Sequence, residues 1–257
     1  MDARGGLPGL TFLGHSTVLV ELAGLRILTD PVLFDRVLAL RRVVAGLDPG
    51  LYANVDVALV SHLHLDHFDL RSLRLLGPDV HLVVPTGAGS LVRRAGFARV
   101  AEIGPGQRTR IGAVDITATP AAHGGFRPPF GPRAAAVGYR LEAGPASIYF
   151  AGDTDLFDGM AEIGHDLDVA LLPVWGWGPS LGWGHLDPHR AAAALTLLRP
   201  RYVLPIHWGT LWPLGLGRVR PHRISQPPLE FAELAARTHP DGTVLVTPPG
   251  DRVTFVP

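Results

Sequence analysis

The feature that most limits how this chain folds is an apolar run, Val57 to Val60, followed at once by Ser61-His62-Leu63-His64-Leu65-Asp66-His67. Four apolar residues bounded by a polar loop read as a short strand through a core. In extended backbone alternate side chains share a face, so His62, His64 and Asp66 can point the same way. His67 breaks that alternation, so the chain must turn there. Neutral imidazole and carboxylate are the ordinary ligands of zinc and of neighbouring first-row metals. Four such groups in six positions would crowd one ion, so the spacing suggests two metals side by side. A solvated polar turn is the competing reading, and a position directly behind a buried strand argues against it.

Composition removes several kinds of chemistry. The chain has 257 residues, no cysteine, and no lysine among its 23 basic residues. Disulfides, iron–sulfur clusters, thiolate zinc sites and Cys nucleophiles are therefore excluded, and so are Schiff-base chemistry and a Walker-type phosphate loop. The 23 basic and 23 acidic residues balance, which argues against a dedicated nucleic-acid partner. The hydrophobic share, 47%, is enough to bury the core of one large domain, and no disordered linker or strong repeat divides residues 1–257. There is no run of 18 uncharged apolar residues and no signal-peptide pattern at the start, so the expectation is a cytoplasmic chain without a membrane span.

Strands are expected over Leu10 to Val20 and Leu25 to Thr29, joined by Ala23-Gly24, with Asp30 at the mouth of the second. Residues 34–45 have helix-like apolar spacing before Gly46 and Pro49-Gly50, which suggests a surface helix, a lid or a partner-binding element. Beyond the histidine cluster, helices are expected over Leu70 to Leu76, Ser90 to Ala95 and Pro188 to Leu198. Further strands are expected at Val80–Val84, Arg110–Pro120, Ala136–Leu141, Ser147–Phe150, Val169–Pro173, Arg201–Ile206 and Gly242–Thr247. The alternation indicates an α/β layered architecture. A rigid proline-rich loop, Gly124 to Arg133, carries Arg127 and Arg133.

Histidine or aspartate recurs at the end of strand after strand: Asp30, His62, His123, Asp153 and His207. In α/β sheets the C-terminal edge is where sites are built. His62-x-His64-x-Asp66-His67, followed in order by His123, Asp153 and His207, resembles the metallo-β-lactamase superfamily over nearly the whole chain. More narrowly, Leu13-Gly14-His15-Ser16 with Thr29-Asp30-Pro31, Gly184-His185-Leu186-Asp187-Pro188 and Ile206-His207-Trp208-Gly209-Thr210 resemble one of its branches. That branch contains N-acyl-phosphatidylethanolamine phospholipase D and the ascorbate-phosphate lactonases.

The resemblance implies a four-layer αββα sandwich with the metals on the edge between its sheets. It implies that His62, His64 and His123 hold one ion, that Asp66, His67 and His207 hold the other, and that Asp153 bridges. Two divalent ions, zinc by preference with manganese or iron as alternatives, would share a water and lower its pKa towards about 7. Asp66 and His185 are the candidate catalytic residues. His185 would contact substrate or protonate the leaving group, although a His beside Asp187-Pro188 could instead help to cap the next helix. Asp30 is expected to accept a hydrogen bond from a ligand histidine. Arg127 and Arg133 could clamp an anionic group. All five tryptophans lie between Trp175 and Trp212, and Trp177 is the candidate pocket wall. His15 could be a hydrogen-bonded strand residue or a catalytic one.

The leading expectation is hydrolysis of a phosphodiester by a metal-bridging hydroxide, in the manner of a phospholipase D. A lactonase is the alternative, and a metal-binding regulatory module without turnover is the reading outside enzymology. The partner is then a small-molecule or lipid-like ester. Peripheral membrane contact through residues 34–45 stays open, as does the oligomeric state.

Overall fold

Short apolar runs punctuated by glycine, proline and aspartate set the element boundaries. The computed structural model describes residues 7–127 and 131–255, so Pro128, Pro129 and Phe130 of the proline-rich loop lie outside the described residues. In chain order the strands are β1 (Gly9–Gly14), β2 (Thr17–Leu22), β3 (Leu25–Thr29), β4 (Arg36–Val37), β5 (Leu40–Arg42), β6 (Val57–Leu59), β7 (His81–Pro85), β8 (Val100–Ile103), β9 (Arg108–Ile111), β10 (Val114–Pro120), β11 (Val137–Ala143), β12 (Ala146–Phe150), β13 (Val169–Pro173), β14 (Tyr202–Ile206), β15 (Leu211–Pro213) and β16 (Thr243–Val244). The helices are α1 (Leu70–Leu75), α2 (Gly89–Arg94), α3 (Met160–Ile163), α4 (Pro188–Leu198) and α5 (Pro227–Thr238).

Two mixed sheets result. The first runs β1-β2-β3-β6-β7-β8 and the second β16-β14-β13-β12-β11-β10-β9. In the first, β3, β6, β7 and β8 are parallel; in the second, β12, β13, β14 and β16 are. Period-two alternation sorts the side chains. Val57 and Leu59 join one cluster with Ile148 and Leu171 of the second sheet, while Ala58 and Val60 join another with Leu73 of α1 and Val92 of α2. On the far side of the second sheet, Leu195 of α4 and Phe231 of α5 complete the main cluster. This is the expected αββα order, and it brings the C-terminal ends of both parallel runs to one edge.

Three local expectations need correction. Residues 34–45 are not a helix: β4 and β5 form a hairpin, and β5 pairs with β15. Burial alternates along it, with Val37, Leu40 and Arg42 inside and Leu38 and Arg41 outside. The stretch Leu10 to Val20 is broken at His15-Ser16 into a β1–β2 hairpin, because Gly14 and His15 both take positive φ. Likewise Arg110–Pro120 holds a turn at Gly112, and the strand pair there is β9–β10. The helices α3 and α5 and the strand β8 stand outside the expected elements, α3 and β8 being only four residues each.

Candidate metal centre

Each candidate ligand leaves the end of a strand at the shared edge. Asp30 follows β3, and the segment His62 to His67 follows β6. His123 comes three residues after β10, Asp153 three after β12, and His207 directly after β14. Close approach of the two sheets is needed here, and Gly152 permits it: a Cβ at that position would lie 2.5 Å from the Ser61 Cβ, and its φ is +60°. Asp30, His15 and His207 hold left-handed backbone at φ 32°, 55° and 64°. Such strain in non-glycine residues persists where the surroundings over-determine it, and it concentrates at functional sites.

Two groups of donor atoms form. His62, His64 and His123 bring their ring nitrogens to one point, and Asp66, His67 and His207 converge on another, with His15 beside them. Asp153 lies between: its carboxylate is 3.1 Å from both His67 Nε2 and His207 Nε2, and 3.9 Å from His62 Nε2.

Hydrogen bonds on the outer side of each ring fix its tautomer. His67 Nδ1 donates to Asp30 Oδ2 at 2.7 Å, and His207 Nδ1 to the Trp175 carbonyl at 2.8 Å. Their Nε2 atoms then face each other at 3.0 Å. In the other group, His123 Nδ1 donates to the Gly184 carbonyl at 2.7 Å and His64 Nε2 to the Phe126 carbonyl at 3.1 Å. This leaves His123 Nε2 opposite His64 Nδ1 at 3.1 Å. With their outer nitrogens protonated, neutral His64 and His123 present two lone pairs to one another, and in the His67–His207 pair the same clash is relieved by a proton on His67. Only a proton or a cation between them makes such a contact favourable. His62 Nε2 and Asp153 Oδ1 are also buried and have no hydrogen-bond partner, which is costly unless something else satisfies them. The donor set therefore fits divalent metal.

Electrostatics agree. Burial, reinforced by positive neighbours, holds His62 well below the usual imidazole range, and burial also lowers His64 and His123. His207 is well below it too, through burial despite Asp153. These rings are neutral, as ligands must be. Burial opposes charge on His67, yet Asp153 and Asp66 hold its pKa well above 6.5. Burial would raise Asp153 and Asp66, but adjacent histidines, His207 and His67 for Asp153 and His67 and His15 for Asp66, keep both well below the usual carboxylate range.

The other residues singled out from sequence divide. Asp30 accepts from His67 Nδ1, the Ser61 amide and the Ser61 hydroxyl, at 2.6–2.7 Å. Ser61 Oγ in turn accepts from His62 Nδ1 at 2.9 Å, so one carboxylate orients a histidine in each group. His185 is half-buried, its Nδ1 held by the Trp183 carbonyl at 3.0 Å and its Nε2 3.3 Å from Asp153 Oδ2. Asp187, not His185, caps α4, accepting from Arg190 N. Trp177 lines a cavity that also contacts His64, Asp66, Asp153 and His185. Arg127 turns Nη1 to the Leu63 and Phe68 carbonyls, and its guanidinium lies over the Phe68 ring. Arg133 lies over Phe126 and lines a different, open cleft beside His123. Sequence reasoning left His15 undecided and did not single out Ser61. His15 is buried, with Nε2 3.0 Å from Asp66 Oδ2 and its carbonyl accepting from His207 N at 2.7 Å. The sequence signal was Gly14-His15-Ser16 interrupting a strand.

The beta-lactamase superfamily domain model matches residues 25–208, most of the chain and the whole of the candidate ligand set. The chain belongs to the metallo-β-lactamase superfamily. Among relatives of this superfamily member, a UPF0173 metal-dependent hydrolase of Caldivirga maquilingensis is 31% identical over 254 residues, covering 94% of this chain and 96% of that protein. The N-acyl-phosphatidylethanolamine-hydrolyzing phospholipase D 1 of Caenorhabditis elegans is 32% identical over 239 residues, covering 80% of this chain and 64% of that one. Among solved structures, the metallo hydrolase Igni18 of Ignicoccus hospitalis superposes with a TM-score of 0.75 at 26% identity, covering 97% of this chain and 98% of that one.

Proposed function

We propose that this chain, a metal-dependent hydrolase of the metallo-β-lactamase superfamily, cleaves a phosphodiester at a two-cation centre contained in one domain. His62, His64 and His123 would hold one ion, and Asp66, His67 and His207 the other, with Asp153 between them. The observation that carries this reading is the inward convergence of ring nitrogens in each donor group, 3.0 Å apart in the His67–His207 pair and 3.1 Å apart, as opposed lone pairs, in the His64–His123 pair. Histidine-rich sites with carboxylate favour zinc, and manganese and iron also suit them. When bound, such ions acidify a water and polarise the oxygen under attack.

The chain's own residues do the rest. Asp30 and Ser61 keep the lone pairs of His67 and His62 turned inward. His185 holds a proton at Nε2: Asp153 raises its pKa against the effect of burial, and its Nδ1 is anchored on the loop backbone. A group so placed can deliver that proton to a leaving oxygen. The Caenorhabditis elegans phospholipase D, similar over 80% of this chain, supports phosphodiesters as the substrate class. One observation favours a second reading, a lactone or other neutral ester: among the described residues, no arginine lines the cavity over the centre.

Metal analysis combined with rates on bis(p-nitrophenyl) phosphate and a simple lactone tests this. Two metals per chain and chelator-sensitive diesterase activity are expected. Two metals with lactone turnover alone would replace the phosphodiester by the cyclic ester. Two metals without turnover of any ester would point to a regulatory module, and no metal after reconstitution would refute the centre itself.

A further inference from the structure

The cavity over the centre has an unusual composition for a site that is to bind an ionic group. Its floor is His64, Asp66, Asp153 and His185, and its volume is about 380 Å³. The remaining lining is apolar throughout: Val37, Leu38 and Leu40 of the β4–β5 hairpin, with Leu65, Trp177 and Pro213 among the rest. We propose that the β4–β5 hairpin and Trp177 form a specificity wall that selects esters carrying a short apolar substituent next to the reacting bond. This rests on the hydrolytic reading above and adds the substrate class to it.

Leu38 is 68% exposed and Trp177 is 44% exposed. Large apolar side chains held out to solvent beside a reactive floor mark a binding surface. Leu38 also sits at φ +50°, a left-handed conformation that a branched side chain rarely adopts. The hairpin thus keeps a strained, exposed leucine at its tip, where asparagine or glycine would suit the backbone better.

The wall is rigid. Val37 and Leu40 pack with Val32 and Leu211 in a small core of their own, against which Leu65 also rests. Leu214 N donates to the Ala39 carbonyl at 2.8 Å, and β5 is paired along β15. Beneath it, the buried Arg42 guanidinium donates to the Leu13 and Val32 carbonyls at 3.1 and 3.0 Å. Leu65 stands in sequence between His64 and Asp66, so the packing of the hairpin reaches directly to the ligand segment. The occupant is the substrate's own apolar arm, because the floor of the same cavity carries the reacting groups. Small-molecule pockets span roughly 300–1,000 Å³. This one lies at the lower end, so it takes a short alkyl chain or a single aromatic ring, and a pair of long acyl chains would have to lie outside it.

Alkylphosphonates test this without turnover, since the phosphonate engages the metal centre and the alkyl group enters the cavity. Methyl-, butyl- and dodecylphosphonate are titrated into the zinc-loaded protein by calorimetry. Butylphosphonate buries three further methylenes and should bind on the order of fiftyfold tighter than methylphosphonate. The gain should level off well before dodecylphosphonate. Leu38→Asn suits the local backbone and should keep the fold while cutting the butyl-to-methyl ratio several-fold, and Trp177→Ala should do the same. Equal affinity for the methyl and butyl compounds, or a ratio unchanged in both variants, would overturn the wall. An undiminished gain up to dodecylphosphonate would overturn its size limit. If light scattering shows a dimer that Leu38→Asn dissolves, the hairpin is covered by a second copy and the proposal falls. Failure of methylphosphonate itself to bind would instead remove the metal-centre reading, and the wall with it.

Discussion

Asp30→Asn exchanges one oxygen for an NH2 group of nearly the same size, yet it should weaken both metal sites. Asp30 Oδ1 accepts from the Ser61 amide, while Oδ2 accepts from both Ser61 Oγ and His67 Nδ1. An amide keeps its oxygen on the backbone donor and turns two N–H groups towards the other partners. His67 Nδ1 then has to accept, which moves its proton to Nε2 and removes the lone pair facing His207. Ser61 Oγ has to accept as well, so its own proton turns to His62 Nδ1 and drives that ring to the Nε2–H form. Loss of an outer-sphere partner typically costs 10–100-fold in metal affinity. About 1.4–2.8 kcal/mol is therefore expected at each ion, from one substituted atom. Ser61→Ala provides the control: it releases only His62 and should weaken only the first ion. Competition with a chromophoric chelator resolves the two affinities, and circular dichroism confirms that the variants are folded. Asp30→Asn binding both ions as tightly as the parent would refute the tautomer reasoning, and so would Ser61→Ala weakening both sites equally.

Asp153→Ala should reduce hydrolysis to background in a protein that still melts cooperatively; retained activity would remove Asp153 from between the ions. His185→Ala should lower kcat by about 10²–10⁴-fold with metal content intact. A parallel fall in metal content would make His185 a ligand or a support. Metal loading near pH 7 should release at least one proton, because His67 is raised well above 6.5 in the metal-free protein whereas the other histidines of the two donor groups are lowered. By linkage, the raised His67 contributes stability to the metal-free fold that is complete below about 6.5 and is lost as pH rises through its higher folded value. Calorimetric titrations in buffers of different ionisation enthalpy give the proton count, and no release would contradict the direction of the His67 shift.

Much of this protein is determined by its sequence alone. The ligand residues are local features of strand ends: an apolar run sets the strand, and the next polar residue inherits the edge. His62, His123, Asp153 and His207 therefore stand in the right order and context along the chain itself. The cap of α4 is equally local, since Asp187 precedes Pro188 and bonds an amide three residues on. What the tertiary structure decided are the features with partners far along the chain. The apolar spacing of residues 34–45 suits a helix or a hairpin, and the choice is made by β15, about 170 residues later, whose backbone groups pair with β5. Arg127 reads in sequence as a loop arginine, and only the fold brings its Nη1 to the Leu63 and Phe68 carbonyls more than fifty residues away. His15 reads in sequence equally as a hydrogen-bonded strand residue or a catalytic one, and it joins the centre because its carbonyl meets the His207 amide and its ring meets Asp66. A local pattern records what a residue prefers within a turn or two. Which buried donor finds which acceptor is fixed only when the two sheets close against each other.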